Sequence, residues 1–416
     1  MSTSLKAWDY LILTASNEDQ AAVYERQLCA RQEQGLLSTV REVMVVPDPG
    51  GKRIGSGGST ILCILEVLRR EMSVHGGDRS DPDAWTDVLR RLRVLIVHGG
   101  GDSTRLPAYG PVGKVFVPVP DVTDRALSTT LFDRQLPTYL GLPSTAEGAG
   151  QVVITAGDVL VSFDPAEVRW QANGVTGLGC LASPEQASKH GVYCVDGEGR
   201  VRRFLQKPTP AEQRGRHAVD RCGRAILDVG VISFDAAVAV ALLRAFGVRA
   251  DTDGELRWTG PMGEAITARG LDFYREICCA MGSEVTATDY LAAARASGST
   301  WDEATLKRIS DSLSPVPFHV NVLSRCRFLH FGTTRQIITT GLDLARQDRG
   351  VTPDDAHLVI NSSMDNGGRI VGGSAWIEGC RIGSTLSLGG ENVIVGADVD
   401  GPLELPREAC LDVLGG

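Results

Sequence analysis

The segment from His98 to Pro120 concentrates residue types suited to phosphate chemistry. A strand-like run, Val94-Leu-Ile-Val-His98, is followed by Gly99, Gly100 and Gly101, then by Ser103, Arg105 and Gly113-Lys114-Val-Phe-Val-Pro118. Three consecutive glycines at a strand end let the backbone pass close to a ligand and aim N–H groups at a phosphate or a base edge. Arg105 can fork onto phosphate oxygens, while Lys114 supplies a compact positive charge. Such a loop can hold a triphosphate and stabilise charge added during an in-line displacement. The alternative is a glycine-rich turn whose Arg105 and Lys114 merely face solvent.

Two other glycine motifs are excluded. A Walker A loop needs G-x-x-x-x-G-K-[ST], but position 108 is Ala and Val115 follows Lys114. The dinucleotide fingerprint G-x-G-x-x-G is met neither here nor at Gly55-Ser-Gly-Gly-Ser-Thr60. Gly55, Gly57 and Gly58 open a predicted helix, whose free N–H groups suit an anion or simply make a tight strand–helix turn. Asp158 follows a strand ending at Ala156, where a carboxylate suits a hard cation or caps a turn. Asp272 and Glu276 would share one face of a helix, as on a plain solvated helix. The seven histidines form no H-x-x-x-H pattern, and no Ser-His-Asp grouping stands out.

The elements that must position these groups alternate. Tyr10–Thr14, Val40–Val46, Leu92–His98, Gln151–Thr155 and Ala225–Phe234 read as strands, with helices over Asp19–Gln34 and Thr60–Arg70, the latter capped by Ser59 or Thr60. Strands separated by helices predict a mainly parallel, doubly wound α/β sheet that binds ligands at its carboxyl strand ends. Leu271–Ser312 reads as mostly helical, and Val316–Phe331 returns to strand character. The tail then changes period: Leu358, Met364, Ile370, Trp376, Ile382, Leu388 and Ile394 recur every six residues, with small residues two positions before the first five. That period predicts a left-handed parallel β-helix with apolar residues inward. The expected division is 1–345 for a catalytic domain and 346–416 for the repeat, which is either short or truncated. Its exposed end can pair subunits into a homo-oligomer or merely close the catalytic domain.

The bulk composition fits a soluble globular protein: 43% hydrophobic, 22% charged, with 48 glycines. A net charge of −9 argues against broad nucleic-acid binding. Ten scattered cysteines without a CxxC pair argue against structural zinc or a disulfide framework. No apolar stretch is long enough to span a membrane, and the N-terminus lacks a signal-peptide pattern, so the cytoplasm is the expected location.

These residues resemble the G-x-G-x-R-L…P-K motif of sugar-phosphate nucleotidyltransferases. More closely, His98-Gly-Gly-Gly-Asp-Ser-Thr-Arg-Leu-Pro…Gly-Lys-Val-Phe is similar to the fucose-1-phosphate guanylyltransferase (GDP-L-fucose pyrophosphorylase) family, whose domain is fused to an L-fucokinase in some organisms. Asp9–Ser16, Asp48–Gly58, Gly157-Asp158, Gln206-Lys207-Pro208 and His330–Thr334 resemble that family's segments in the same order. The resemblance implies a Rossmann-like, GT-A-type nucleotidyltransferase fold. It also implies transfer of a nucleotidyl group from GTP to a sugar 1-phosphate, namely β-L-fucose 1-phosphate, with Mg2+ as cofactor and pyrophosphate as product. Gly99–Gly101 would cradle the nucleotide, Arg105 would stabilise the pentacovalent phosphorus, and Lys114 would hold phosphate charge. Lys207 would hold the sugar phosphate, Asp228 and Gly230 would meet the sugar, and Asp158 would hold magnesium. Asp272 and Glu276 resemble the family's D-x-Y-x-D run, with Glu in place of the last Asp, which implies that one of these carboxylates is a second metal ligand. The same chemistry on another sugar phosphate or nucleotide, and a non-catalytic binding or regulatory homologue, are the alternatives.

Overall fold

A computed structural model describes residues 8–99, 101, 103–120, 129–145, 148–349 and 356–413. Gly100, Asp102 and residues 121–128 lie outside the described residues, so the nucleotide-cradling role expected of Gly100 has no structural counterpart here. The chain divides into two units: residues 1–101, 138–156 and 163–326, and residues 102–137, 157–162 and 327–416.

The first unit is built on a nine-stranded mixed sheet. Its main path runs Phe318–Val322, Val175–Ala182, Ala225–Phe234, Gln151–Ala156, Arg93–His98, Trp8–Ala15 and Val40–Pro47. Trp8–Ala15 pairs in parallel with both Val40–Pro47 and Arg93–His98, and the latter pairs in parallel with Gln151–Ala156. The inner strands Trp8–Ala15, Arg93–His98 and Gln151–Ala156 are mainly apolar because both faces are covered, with Leu11, Ile12, Leu13, Leu95 and Ile96 fully buried, whereas the edge strand Val40–Pro47 carries Arg41 and Glu42. The sheet turns antiparallel at Ala225–Phe234, which pairs with Gln151–Ala156 on one side and Val175–Ala182 on the other. Gly191–Val195 and Val201–Gln206 join as a side hairpin.

The expected strands and the first helix fall where the sequence puts them; that helix spans Glu18–Glu33, capped by the Asn17 side chain on the Gln20 N–H at 2.8 Å. The second helix differs. It spans Gly55–His75, so Gly55–Gly58 form its first turn and Ser59 and Thr60 lie inside it rather than at its cap. The region read as mostly helical between 271 and 312 breaks into a π-turn at Phe273–Ile277, a 3-10 turn at Cys278–Ala280, and helices Ala287–Ala296 and Glu303–Leu313.

The second unit combines the turns around residues 103–120, the helix Thr334–Arg349, and three parallel sheets formed by residues 357–412. In each sheet a strand pairs with the strand three elements later: His357–Ile360 with Ala375–Glu378, Ser363–Met364 with Arg381–Ile382, and Arg369–Gly372 with Thr385–Leu388. Trp376, Ile382 and Ile394 are fully buried, and Leu358 and Leu388 nearly so. Met364 departs from the inward pattern: it is 54% exposed, on a two-residue strand.

Candidate functional site

The glycine-rich loop begins where Arg93–His98 ends. His98 is half-buried, and its Nε2 lies 3.0 Å from Thr60 Oγ1, whose single proton goes to Ser56 O at 2.8 Å. The imidazole must therefore donate through Nε2. Burial pushes its pKa down to about 4, so it stays neutral. Gly99 is glycine for a packing reason as well: a Cβ there would stand 2.8 Å from Leu13 Cδ1. Its carbonyl accepts from Tyr24 Oη at 2.8 Å. Gly101 follows with a left-handed φ of +124°.

Gly55, Gly57 and Gly58 are held by the first unit's own backbone. The N–H groups of Gly57 and Gly58 both donate to Leu271 O, at 2.8 and 3.2 Å. A Cβ on Gly55, whose φ is +75°, would stand 2.4 Å from that same oxygen. Two of the donors expected for an anion are thus already used, and the glycines serve a close backbone approach.

Asp272 and Glu276 do not sit side by side on a regular helix. Asp272 caps the π-turn, accepting from Tyr274 N and Arg275 N at 3.0 and 2.8 Å. Glu276 is fully buried; one oxygen accepts from Asp272 N at 2.7 Å and the other from Arg275 Nε at 2.6 Å. Both carboxylates hold this turn together. Among the described residues no cluster of three His, Cys, Asp or Glu side chains is placed to hold a metal ion.

Asp228 is buried in the long central strand. It accepts from Tyr193 Oη at 2.8 Å and from Gly230 N at 3.2 Å. Burial pushes its pKa up to about 6, although both hydrogen bonds pull the other way. Gly230 has φ +74°, and a Cβ there would crowd Ala156 Cβ at 3.3 Å. Lys207 is exposed, yet its φ is +50°, a costly conformation for a residue with a Cβ and one directly before a proline. Its N–H donates to His190 O at 3.0 Å, which helps to hold that conformation.

In the second unit, Lys114 starts a 3-10 turn after Gly113, whose φ is +64°. Its Nζ lies 3.2 Å from Asp158 Oδ2, and the same oxygen lies 3.4 Å from His330 Nε2. Burial pushes the Asp158 pKa up, but the hydrogen bond from His330 and the charges of His330 and Lys114 outweigh it. The carboxyl is held well below the usual range. His330 was assigned no role from sequence, although it opens one of the segments that carry the resemblance; nothing in local spacing connects it to Asp158. Arg105 is exposed, with no ion pair for its guanidinium among the described residues, while its carbonyl accepts from Thr334 N at 2.8 Å. Ser103 is buried with φ +48°, and its carbonyl accepts from Leu106 N at 2.6 Å. The second unit thus holds a lysine–carboxylate–imidazole set, and separately an exposed arginine whose guanidinium has no ion pair among the described residues.

No helix among the described residues is long and apolar enough to cross a membrane. The chain is 32% identical over 254 residues to the bifunctional fucokinase/GDP-fucose pyrophosphorylase of Arabidopsis thaliana, covering 56% of this chain and 24% of that protein. It is 25% identical over 382 residues to the L-fucokinase/L-fucose-1-P guanylyltransferase of Bacteroides fragilis, covering 88% of this chain and 35% of that one. The fucose-1-phosphate guanylyltransferase of Mus musculus is 27% identical over 458 residues, covering 97% of this chain and 70% of that protein. The chain thus spans about a quarter to a third of the length of the two bifunctional relatives. The fucose pyrophosphorylase domain profile matches residues 86–414, nearly four-fifths of the sequence, and the chain belongs to that family.

Proposed function

We propose that this chain transfers a guanylyl group from GTP to β-L-fucose 1-phosphate, giving GDP-fucose and pyrophosphate. The observation that carries the reading is the Lys114–Asp158 pair, whose lysine shares its glycine-rich segment with Arg105, exposed and without an ion pair among the described residues. A sugar phosphate oxygen attacks the α-phosphorus; a new O–P bond forms as the bond to pyrophosphate breaks. The nucleophile is already anionic, so no general base is needed, and positioning with charge neutralisation is enough. Arg105 forks onto the oxygens that gain charge, and Lys114 moves its ammonium from Asp158 to a phosphate. Lys207 holds the sugar phosphate, and the buried Asp228 is available to a sugar hydroxyl near Gly230. Gly99–Gly101 receive the nucleotide.

Asp158 fits a magnesium ion by donor chemistry: it is an ionised hard-oxygen ligand, and magnesium uses one or two carboxylates with phosphate oxygens and water. When bound, the ion supplies Lewis-acid neutralisation of the phosphates. Asp272 and Glu276 are better read as positioning residues, since their oxygens are taken by backbone and Arg275. The three C-terminal sheets support the reading of that segment as a β-helix, since strands three elements apart pair in parallel in each.

The test is pyrophosphate release with magnesium, offering each of four nucleoside triphosphates against the 1-phosphates of fucose, mannose and glucose. Turnover confined to GTP and fucose 1-phosphate is expected. Turnover with another pair keeps the chemistry and overturns the specificity; silence from folded protein overturns the enzyme reading.

A further inference from the structure

Two thiols far apart in the chain meet within the first unit. Cys180 lies in the strand Val175–Ala182 and is 8% exposed. The neighbouring strand Phe318–Val322 runs parallel to it, in register from Val175 with Phe318 to Gly179 with Val322. The ladder closes as Leu323 N donates to Gly179 O at 2.9 Å, directly before Cys180. The chain then bends at Ser324, whose N–H and hydroxyl both donate to Glu167 Oε2, at 2.9 and 2.7 Å. That pinned bend brings the half-buried Cys326 back to Cys180, and the two thiols share a hydrogen bond. The bond draws the Cys180 thiol below its ordinary value, although burial and the charge of Asp228 push the other way. The same bond, with burial, pushes Cys326 up, so Cys326 keeps its proton. The adjacent Cys278 and Cys279 differ: burial pushes both of them up.

We propose that Cys180 and Cys326 are a reversible redox pair, closed to a disulfide by a peroxide and reopened by a dithiol. Disulfide formation needs a sulfur with thiolate character and a resolving thiol within reach, and the hydrogen-bonded pair supplies both. The Cys180 thiolate attacks one peroxide oxygen; the O–O bond breaks, and the departing hydroxide takes up a proton to become water. The Cys326 sulfur then attacks the sulfenic acid on Cys180. An S–S bond forms, the S–O bond breaks and a second water leaves, so the electrons lost by the two sulfurs reduce the peroxide. The disulfide closes beside Asp228: Gly179 pairs across the sheet with Asp228, and Cys180 with Leu227. Drawing Cys180 towards Cys326 shifts the strand that faces this carboxylate, so oxidation is felt where a sugar hydroxyl is assigned. That consequence rests on the nucleotidyltransferase reading; the disulfide itself does not.

The test treats the reduced full chain with equimolar hydrogen peroxide, then counts free thiols and maps disulfides by mass spectrometry of unreduced digests. Wild type is expected to lose both thiols into a Cys180–Cys326 bond and to regain them with dithiothreitol. Cys326→Ser should stop at a Cys180 sulfenic acid, trapped by dimedone, while Cys29→Ser, which removes an exposed thiol outside the pair, should still form the bond. Oxidation of folded wild type confined to the exposed Cys29, Cys222 and Cys410 would overturn the inference, and that reading needs no variant to fold. So would a Cys180–Cys326 bond that dithiothreitol cannot reopen. In turnover, the oxidised form should show a KM for fucose 1-phosphate raised by about five-fold or more, with the KM for GTP unchanged, a modest coupling between two sites. Cys180→Ser should show no such change after peroxide. Equal KM values before and after oxidation would remove the link to Asp228. A chain that forms the bond but releases no pyrophosphate leaves the redox pair standing and removes the reaction assigned above.

Discussion

The ammonium of Lys114 meets a carboxylate oxygen of Asp158 across 3.2 Å, joining the residue after Gly113 to the turn between the strands Gln151–Ala156 and Val159–Phe163. Neither residue is fully enclosed; their side chains are 17% and 30% exposed, so an incoming ligand can compete for both. Asp158→Asn should lower pyrophosphate release by about 100-fold or more, the scale seen when one charge-stabilising group is lost from an active site. Raising the magnesium concentration should recover some of that loss. An Asp158→Asn protein with near-normal turnover and unchanged magnesium dependence would remove Asp158 from the site.

Arg105 offers a cleaner separation of function from stability. Its side chain is exposed and has no ion pair among the described residues, so Arg105→Ala should change folding stability by less than about 0.5 kcal/mol. Turnover should nevertheless fall by roughly 100- to 1000-fold if the guanidinium meets charge that develops during reaction. Urea unfolding and initial rates on the same preparation decide it; a stability loss that accounts for the activity loss would sink the role.

Asp228 predicts a pH effect with a definite sign. Burial raises its folded pKa to about 6, whereas an unfolded aspartate titrates near about 3.9. Between those values the unfolded chain releases its proton first, so the contribution is fully present below about pH 4 and lost as pH rises through about 6. The loss should reach roughly 3 kcal/mol. Asp228→Asn keeps an acceptor for Tyr193 Oη and removes the titration. The stability difference between variant and wild type should therefore grow in the variant's favour from pH 4 to 7, read by urea denaturation. Parallel pH profiles would show that Asp228 does not titrate in that window.

Gly55→Ala should destabilise the first unit. The added Cβ would meet Leu271 O at 2.4 Å in a backbone conformation with φ +75°, and the carbonyl also serves Gly57 and Gly58. A loss of about 2–4 kcal/mol is expected, combining left-handed strain with a disrupted hydrogen-bonded contact. A denaturation midpoint unchanged from wild type would mean that the helix start can shift away from Leu271 at no cost.

The strand runs were legible from residue order because a strand buried on both faces needs a continuous β-branched or apolar run. Trp8–Ala15, Arg93–His98 and Gln151–Ala156 declare themselves in that way. The six-residue period was legible for the same kind of reason: a local repeat creates a local pattern, seen in the burial of Trp376, Ile382 and Ile394. Residue chemistry was enough to single out Arg105, Lys114 and Asp158. It could not show that His330 approaches Asp158, that Glu276 is sealed beneath Asp272, or that Leu271 O occupies the amides of Gly57 and Gly58. Two of those contacts join segments far apart in the chain, which no spacing rule reaches across, and the Asp272–Glu276 contact depends on a π-turn replacing the regular helix that the spacing predicts. They were decided only by tertiary packing, which chose which donors to consume, which carboxylates to bury, and which cations to leave facing solvent.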